Sequence, residues 1–331
     1  MFKFIICYIY IINMSNKKLK VVFNCAYFSF HVDYCINIKN ELEKQGHIGI
    51  ITPSRDTSNH TAEYIEKYYK LNHQDADFTI LPDEACSIIG GKGIYINHAL
   101  LPVIPQHEFY YEKNFKDCIN TNTSYMFLPS QQIADLFIHE LKIEKPYKIV
   151  GFPKLDNVFN NRKNNKNISY KIKNNIQLNI LYAPTGKWKK TMNSENIINL
   201  DLLNSKDNII YVGHPSIDKN NNNLLYNYSI ADIVISDYSS VGYDSIALNI
   251  PTILIDNKHW IHITNNSKLI CEVSRNAAIR AYTNNDVINA INIYKNNPKF
   301  LEKEREYYSN CLTECKENSS IKFINELKEL L

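Results

Sequence analysis

Residues 230–257 read Ile-Ala-Asp-Ile-Val-Ile-Ser-Asp-Tyr-Ser-Ser-Val-Gly-Tyr-Asp-Ser-Ile-Ala-Leu-Asn-Ile-Pro-Thr-Ile-Leu-Ile-Asp-Asn. Asp232 to Ser236 is a short β-branched run ending in polar residues, Val241 to Leu248 carries apolar groups at helical spacing, and Pro251 to Ile255 is a second apolar run. Two strands joined through a helix have to lie parallel, so the stretch predicts a βαβ unit and the chain an α/β fold. The strand-to-helix turn, Asp237 to Ser240, then stands at the carboxyl edge of a parallel sheet, where open α/β folds bind ligands. It presents hydroxyls beside a helix N-terminus whose free N–H groups attract anions, so a phosphate is a suitable guest. Asp237, Ser239, Ser240 and, within the helix, Asp244 are its candidate substrate contacts. The plainer reading, in which Asp237 or Ser239 caps the helix, stays open.

The same alternation runs along most of the chain. From Leu19, Val21 to Cys25 reads as a strand, Val32 to Gln45 as an amphipathic helix closed by Gly46, and His47 to Thr52 as the next strand. Ala62 to Leu71 and Gln131 to Leu141 read as helices, and Phe78 to Leu81, Gly93 to Asn97, Tyr125 to Leu128 and Tyr147 to Val150 as strands. Residues 160–175 are rich in Asn and Lys without apolar periodicity in their first half. A second series follows: strand Asn179 to Ala183, a helix near Glu195 to Leu203, strand Ile209 to Val212, and the unit already described. Everything after Asp286 reads as helical. The expected domains are an apolar extension or misassigned start over 1–18, a Rossmann-like domain over 19–160, a linker over 161–178, and a second Rossmann-like domain with terminal helices over 179–331. Two doubly wound halves facing a cleft describe the GT-B architecture.

At 331 residues, two domains are the expected number. A formal charge of +3, with no long Lys/Arg block, argues against a nucleic-acid partner. The first strand is followed by Asn24-Cys25-Ala26-Tyr27-Phe28-Ser29 in place of Gly-x-Gly-x-x-Gly, which disfavours a dinucleotide oxidoreductase. Eight dispersed cysteines, several in apolar runs, read as reduced thiols of a cytoplasmic chain, and no Cys-x-x-Cys or His-x-x-x-His cluster predicts a metal. The apolar run from Phe2 to Ile12 is broken by Lys3 and too short to cross a bilayer. It reads as sequence upstream of a start at Met14, as a membrane-surface anchor, or as a signal or packed strand.

Three further strand ends carry chemistry. His98 closes an apolar strand, and an imidazole there has a suitable pKa to take a proton at neutral pH. His214, followed by Pro215, stands just beyond the strand ending at Val212. Ala183-Pro184-Thr185-Gly186-Lys187-Trp188 leaves the first strand of the second half, and Thr185 and Gly186 let backbone N–H groups approach a phosphate.

These segments, in this order, resemble the motifs of the CDP-glycerol glycerophosphotransferase family, the teichoic acid and capsule polymerases. Asp237-Tyr238-Ser239-Ser240 resembles the family's Asp-Tyr-Ser-Ser, His98-Ala99 its His-Gly, His214-Pro215 its His-Pro, and Ala183-Pro184-Thr185 its Ala-Pro-Thr. Gly151-Phe152-Pro153-Lys154-Leu155-Asp156 resembles the Gly-x-Pro-Arg-x-Asp that closes its first domain. The chain departs from the family at Ala99, where Gly is usual, and at Val212-Gly213, where Arg-Pro precedes the His-Pro. Lys187, Lys189, Lys190 and Arg275 are the candidates to replace that charge. The resemblance implies a GT-B transferase that moves glycerol phosphate or another polyol phosphate from a CDP-alcohol to a hydroxyl of a glycan, lipid-linked or teichoic-type polymer, releasing CMP. It implies His98 as base, and His214, Ser239 and Ser240 as groups that hold the diphosphate. It implies neither cofactor nor metal, and a cytoplasmic chain with a possible peripheral seat on the membrane. A GT-B glycosyltransferase or sugar-nucleotide epimerase, and a non-catalytic nucleotide- or glycan-binding relative, are the alternatives.

Overall fold

The computed structural model describes residues 17–82, 87–97, 100, 110–163, 168–185, 194–199, 207–214, 223–237, 239–256 and 274–331. The first half contains β1 (Lys20–Phe23), α1 (Phe30–Lys44), β2 (Ile48–Ile51), α2 (Ala62–Asn72), β3 (Phe78–Pro82), β4 (Lys92–Ile96), α3 (Tyr110–Asn122), β5 (Tyr125–Leu128), α4 (Gln131–Asp135) and β6 (Tyr147–Ile149). Helices α5 (Asp156–Lys163) and α6 (Ile168–Lys173) lead into the second half. That half comprises β7 (Asn179–Ala183), β8 (Asn208–Tyr211), α7 (Leu224–Ile230), β9 (Ile233–Ser236), α8 (Ser240–Ala247), β10 (Thr252–Ile255), β11 (Ile279–Ala281), α9 (Asn284–Asn296), α10 (Glu302–Leu312) and α11 (Ser319–Glu329).

All pairings are parallel, in a six-stranded sheet ordered β2-β1-β3-β4-β5-β6 and a five-stranded sheet ordered β11-β10-β9-β7-β8. The strands are apolar runs because helices cover both faces of such sheets. Val21, Val22 and Phe23 of β1 and Ile233, Val234 and Ile235 of β9 are fully buried. In α1 the buried residues Tyr34, Cys35, Ile38 and Leu42 recur at helical spacing. The helix then gives way to Gly46 at φ +82°, a left-handed conformation that turns the chain into β2.

Each sheet reverses its order once, between β1 and β3 in the first and between β7 and β9 in the second. Such switch points open a crevice at the carboxyl edge. The two sheets share one apolar cluster that includes Val21 and Phe23 on one side and Leu181, Val234 and Leu254 on the other.

Four expectations need correction. The stretch 161–178 expected as a linker carries the end of α5 and all of α6, and Arg162 donates to the carbonyls of Tyr228 and Ala231, each at 2.8 Å, with 164–167 outside the described residues. The helix expected near Glu195 is a single 3₁₀ turn, Ser194–Asn196, with 200–206 outside the described residues. The last helix leaves the second sheet and packs on the first half, with Phe323 against Phe127 at 4.8 Å between ring centroids and Glu326 paired to Lys148 at 2.6 Å. An apolar face of Phe323, Ile324 and Leu327 needs a partner, and the α1 layer supplies it. Finally, Cys118 is disulfide-bonded, whereas Cys25, Cys35, Cys311 and Cys315 are free thiols. Among the described residues no helix is long and apolar enough to cross a membrane; the apolar run 2–12 lies outside them.

Candidate active site

The switch point of the second sheet carries most of the predicted residues. Thr185 follows β7, Asp237 follows β9, and His214 lies three residues beyond β8. Since β9, β7 and β8 are neighbours about 4.8 Å apart, these strand ends fall within a span of about 10 Å.

Asp237 organises the turn. Its carboxylate is 1% exposed and accepts four hydrogen bonds, from the Thr185 N–H at 2.8 Å, Thr185 Oγ1 at 2.6 Å, the Ser194 N–H at 3.3 Å and Ser194 Oγ at 2.6 Å. Burial raises its pKa, opposed by the bonds from Ser194 and Thr185. The expectation of Asp237 as a substrate contact is therefore revised, because its oxygens tie the β7 exit to the β9 exit across the switch point. Ser194 is a site residue that sequence reasoning missed, since a serine in an irregular loop carries no pattern. Tyr182 and Ser194 share a further hydrogen bond of 3.0 Å beneath it.

Ser239 and Ser240 begin α8. Ser239 has extended backbone angles, and its Oγ accepts from the Val241 N–H at a long 3.4 Å. Both serines are half-buried, so their hydroxyls remain accessible at the helix N-terminus. Gly242 brings that terminus close to the sheet: a Cβ there would stand 2.6 Å from Leu254 Cδ2 on β10.

Asp244, also expected to touch substrate, is fully buried on the inner side of α8. Its Oδ2 lies 2.8 Å from Lys154 Nζ and 3.2 Å from the Tyr228 hydroxyl. Lys154 belongs to the turn Pro153–Leu155 that closes the first half, so the pair braces α8 against that half instead of facing the cleft. The Gly-Phe-Pro-Lys segment is thus a joint with a defined ionic contact.

His214 is half-buried, and burial lowers its pKa, which keeps the imidazole neutral at neutral pH. Arg275, a candidate for the missing charge, is fully buried and paired with Asp256 at the end of β10; Arg280 takes the other oxygen of the same carboxylate. His98, Gly186, Lys187, Lys189 and Lys190 lie outside the described residues. Among the described residues no group of three or more His, Cys, Asp or Glu side chains is arranged to hold a metal.

The edge therefore offers two serine hydroxyls on a helix N-terminus and a neutral histidine, with Asp237 as a buried tie that takes both the N–H and the hydroxyl proton of Thr185. Such a set of fixed donors suits an anion whose charge builds on phosphoryl oxygens.

Comparison with solved structures gives the same architecture. The wall teichoic acid polymerase TagF aligns with a TM-score of 0.67 and 16% identity, covering 95% of this chain and 88% of that one. The S. aureus MnaA-UDP co-structure aligns at 0.62 and 12% identity, covering 95% and 97%. UDP-GlcNAc 2-epimerase from Neisseria meningitidis bound to UDP-GlcNAc aligns at 0.60 and 12%, covering 95% and 100%. At these identities the likeness establishes the fold, two parallel-sheet α/β domains of the GT-B kind. Comparison with curated protein sequences finds no match. The profile of one family, described as CDP-Glycerol:Poly(glycerophosphate) glycerophosphotransferase, matches residues 102–320. That match takes in the Lys154 joint, Thr185, His214 and the whole Asp237 to Asp244 segment, and the chain belongs to the CDP-glycerol:poly(glycerophosphate) glycerophosphotransferase family.

Proposed function

We propose that the chain transfers glycerol phosphate, or a closely related polyol phosphate, from a CDP-alcohol to a hydroxyl of a teichoic-type polymer. The acceptor oxygen attacks the phosphorus that bears the polyol, the bond from that phosphorus to the bridging oxygen of CMP breaks, and CMP leaves with the bonding electron pair. The acceptor proton passes to a base, the role assigned to His98. Ser239 and Ser240 hold the diphosphate beside the Gly186 backbone, and Thr185, whose N–H and hydroxyl both donate to Asp237, fixes the β7 exit next to them. His214 donates to a phosphoryl oxygen as a neutral imidazole, consistent with its lowered pKa. The observation that carries this reading is the α8 N-terminus with its two accessible hydroxyls at the switch point, in a chain of a glycerophosphotransferase family. The acceptor is lipid-linked in this reading, and the chain works at the inner face of the membrane as a peripheral protein.

Replacing His98 or His214 by Ala tests these roles. Each variant is expected to keep the wild-type circular dichroism spectrum and melting temperature while transfer falls at least a hundredfold, within the range of general acid–base and oxyanion contributions. Wild-type turnover in either variant would remove that histidine from the mechanism.

A further inference from the structure

The second sheet has a cavity at the edge opposite the candidate active site. It measures about 380 Å³ and opens beside Asn179, Asp232 and Pro251, which stand at the amino ends of β7, β9 and β10. That volume lies in the range that small-molecule pockets occupy. Helices α5 and α10 contribute Arg162 and Arg305 to the lining.

The two arginines share an unusual situation. Arg162 gives Nη1 to the Tyr228 and Ala231 carbonyls, and its Nε and Nη2 make no hydrogen bond among the described residues. Arg305, 2% exposed, gives Nε to Asn249 Oδ1 at 3.2 Å and Nη1 to the Phe300 carbonyl at 2.7 Å. Among the described residues neither guanidinium has a carboxylate at ion-pair distance. Burial lowers the pKa of both, Arg162 to about 10, so both stay charged at neutral pH. Asp232 acts on Arg162 and Glu302 on Arg305 from beyond contact distance, and with Lys171 the lining carries three cations against these two carboxylates, a surplus of positive charge that suits an anion. The planar fork of a guanidinium fits phosphate oxygens in pairs.

The rest of the lining accepts hydrogen bonds. Asp232 spends Oδ2 on Lys171 Nζ at 2.6 Å and on the Asn179 N–H at 2.8 Å, leaving Oδ1 without a hydrogen bond among the described residues. Glu302 stands in the first turn of α10. Carboxylates repel a second anion but accept well from hydroxyl groups. We infer that this cavity binds a small polyol phosphate, with its phosphoryl group between Arg162 and Arg305 and its hydroxyls toward Asp232 and Glu302. The site is separate from the transfer site, and occupancy would tie α5 and α6, which join the two halves, to the rear of the second sheet.

Equilibrium dialysis with radiolabelled glycerol 3-phosphate, in the presence of excess CMP to occupy the opposite edge, tests the inference. One equivalent is expected to bind, at least tenfold more weakly in Arg162→Gln and in Arg305→Gln, and unchanged in the Ser239→Ala/Ser240→Ala double variant. Unlabelled glycerol should not compete, and inorganic phosphate should compete more weakly than the ester. Absence of binding, binding that both arginine variants retain, or loss of binding in the serine variant would overturn the site; phosphate competing as well as the ester would overturn the polyol assignment. If the arginine variants fail to fold, a wild-type crystal soaked in glycerol 3-phosphate and CMP decides. Density between the two guanidiniums supports the site and an empty cavity refutes it.

Discussion

A histidine in the first turn of α1 shows how strongly this fold sets the state of single residues. His31 is 1% exposed, with ring centroids of Phe28 and Phe30 at 5.7 and 4.7 Å. Burial lowers its pKa to about 4, against the opposing charge of Asp56. The unfolded chain, with a histidine pKa of about 6.5, binds this proton more tightly than the folded one. The associated stability is complete above pH 6.5 and is lost as pH falls toward about 4. Denaturant melts at pH 7 and pH 4 should show a stability loss about 3 kcal/mol larger in the wild type than in His31→Phe, which fits the aromatic cluster and cannot titrate. Equal losses in the two proteins would contradict the assignment. Ser239 and Ser240 allow a parallel separation of roles. Because the capping bond to Val241 is long, their joint replacement by Ala should cost no more than about 1 kcal/mol of folding stability. Affinity for a CDP-polyol should fall by about 1.5–3 kcal/mol for each charge-assisted bond lost. Calorimetric titration beside a denaturant melt reads both, and lowered stability with unchanged affinity would reduce the turn to a helix cap.

Among the elements, α8 is held near its N-terminus and at its middle by groups that sequence spacing does not connect. Its N-terminus is placed by Gly242 against β10, and its inner face by Asp244 on Lys154, ninety positions away. Removing one member of a buried ion pair strands the other, so Lys154→Met should destabilise the protein by about 3–5 kcal/mol. Lys154→Arg, which restores the residue type of the family motif, should recover most of it. A denaturant melt showing Lys154→Met at wild-type stability would mean that the pair does not brace the helix. The same contrast explains what was legible in the sequence. Strands such as Asn179–Ala183 and Tyr125–Leu128 match their expected bounds because an apolar run bounded by polar residues is a local signal. Helix α5 escaped notice because what holds it, Arg162 on two carbonyls and Val158 on the shared core, lies in distant segments. The strand-end positions of Thr185, His214 and Asp237 were readable from the βα alternation. That Asp237 and Asp244 face inward was not, since burial of a carboxylate depends on partners such as Ser194 and Lys154 that share no motif with it.

The described residues form two sheets that share one apolar cluster among several, closed by a C-terminal helix that returns to the first half. Phe323→Ala should therefore cost about 3–5 kcal/mol, and hydrogen exchange should show loss of protection in α1 as well as in α11. Loss confined to α11 would show the helix to be an appendage. In the proposed reaction the base belongs to the first half and the turn proposed to hold phosphate to the second. The most direct test is to incubate the wild-type protein and a teichoic-type acceptor with CDP-glycerol, other CDP-polyols, UDP-sugars and CMP-sugars in turn, and to identify the nucleotide released. The account predicts CMP from a CDP-polyol, released in step with polyol phosphate appearing on the acceptor. UDP release from a UDP-sugar, epimerisation of the sugar nucleotide, or no turnover of any donor with a folded protein would contradict it.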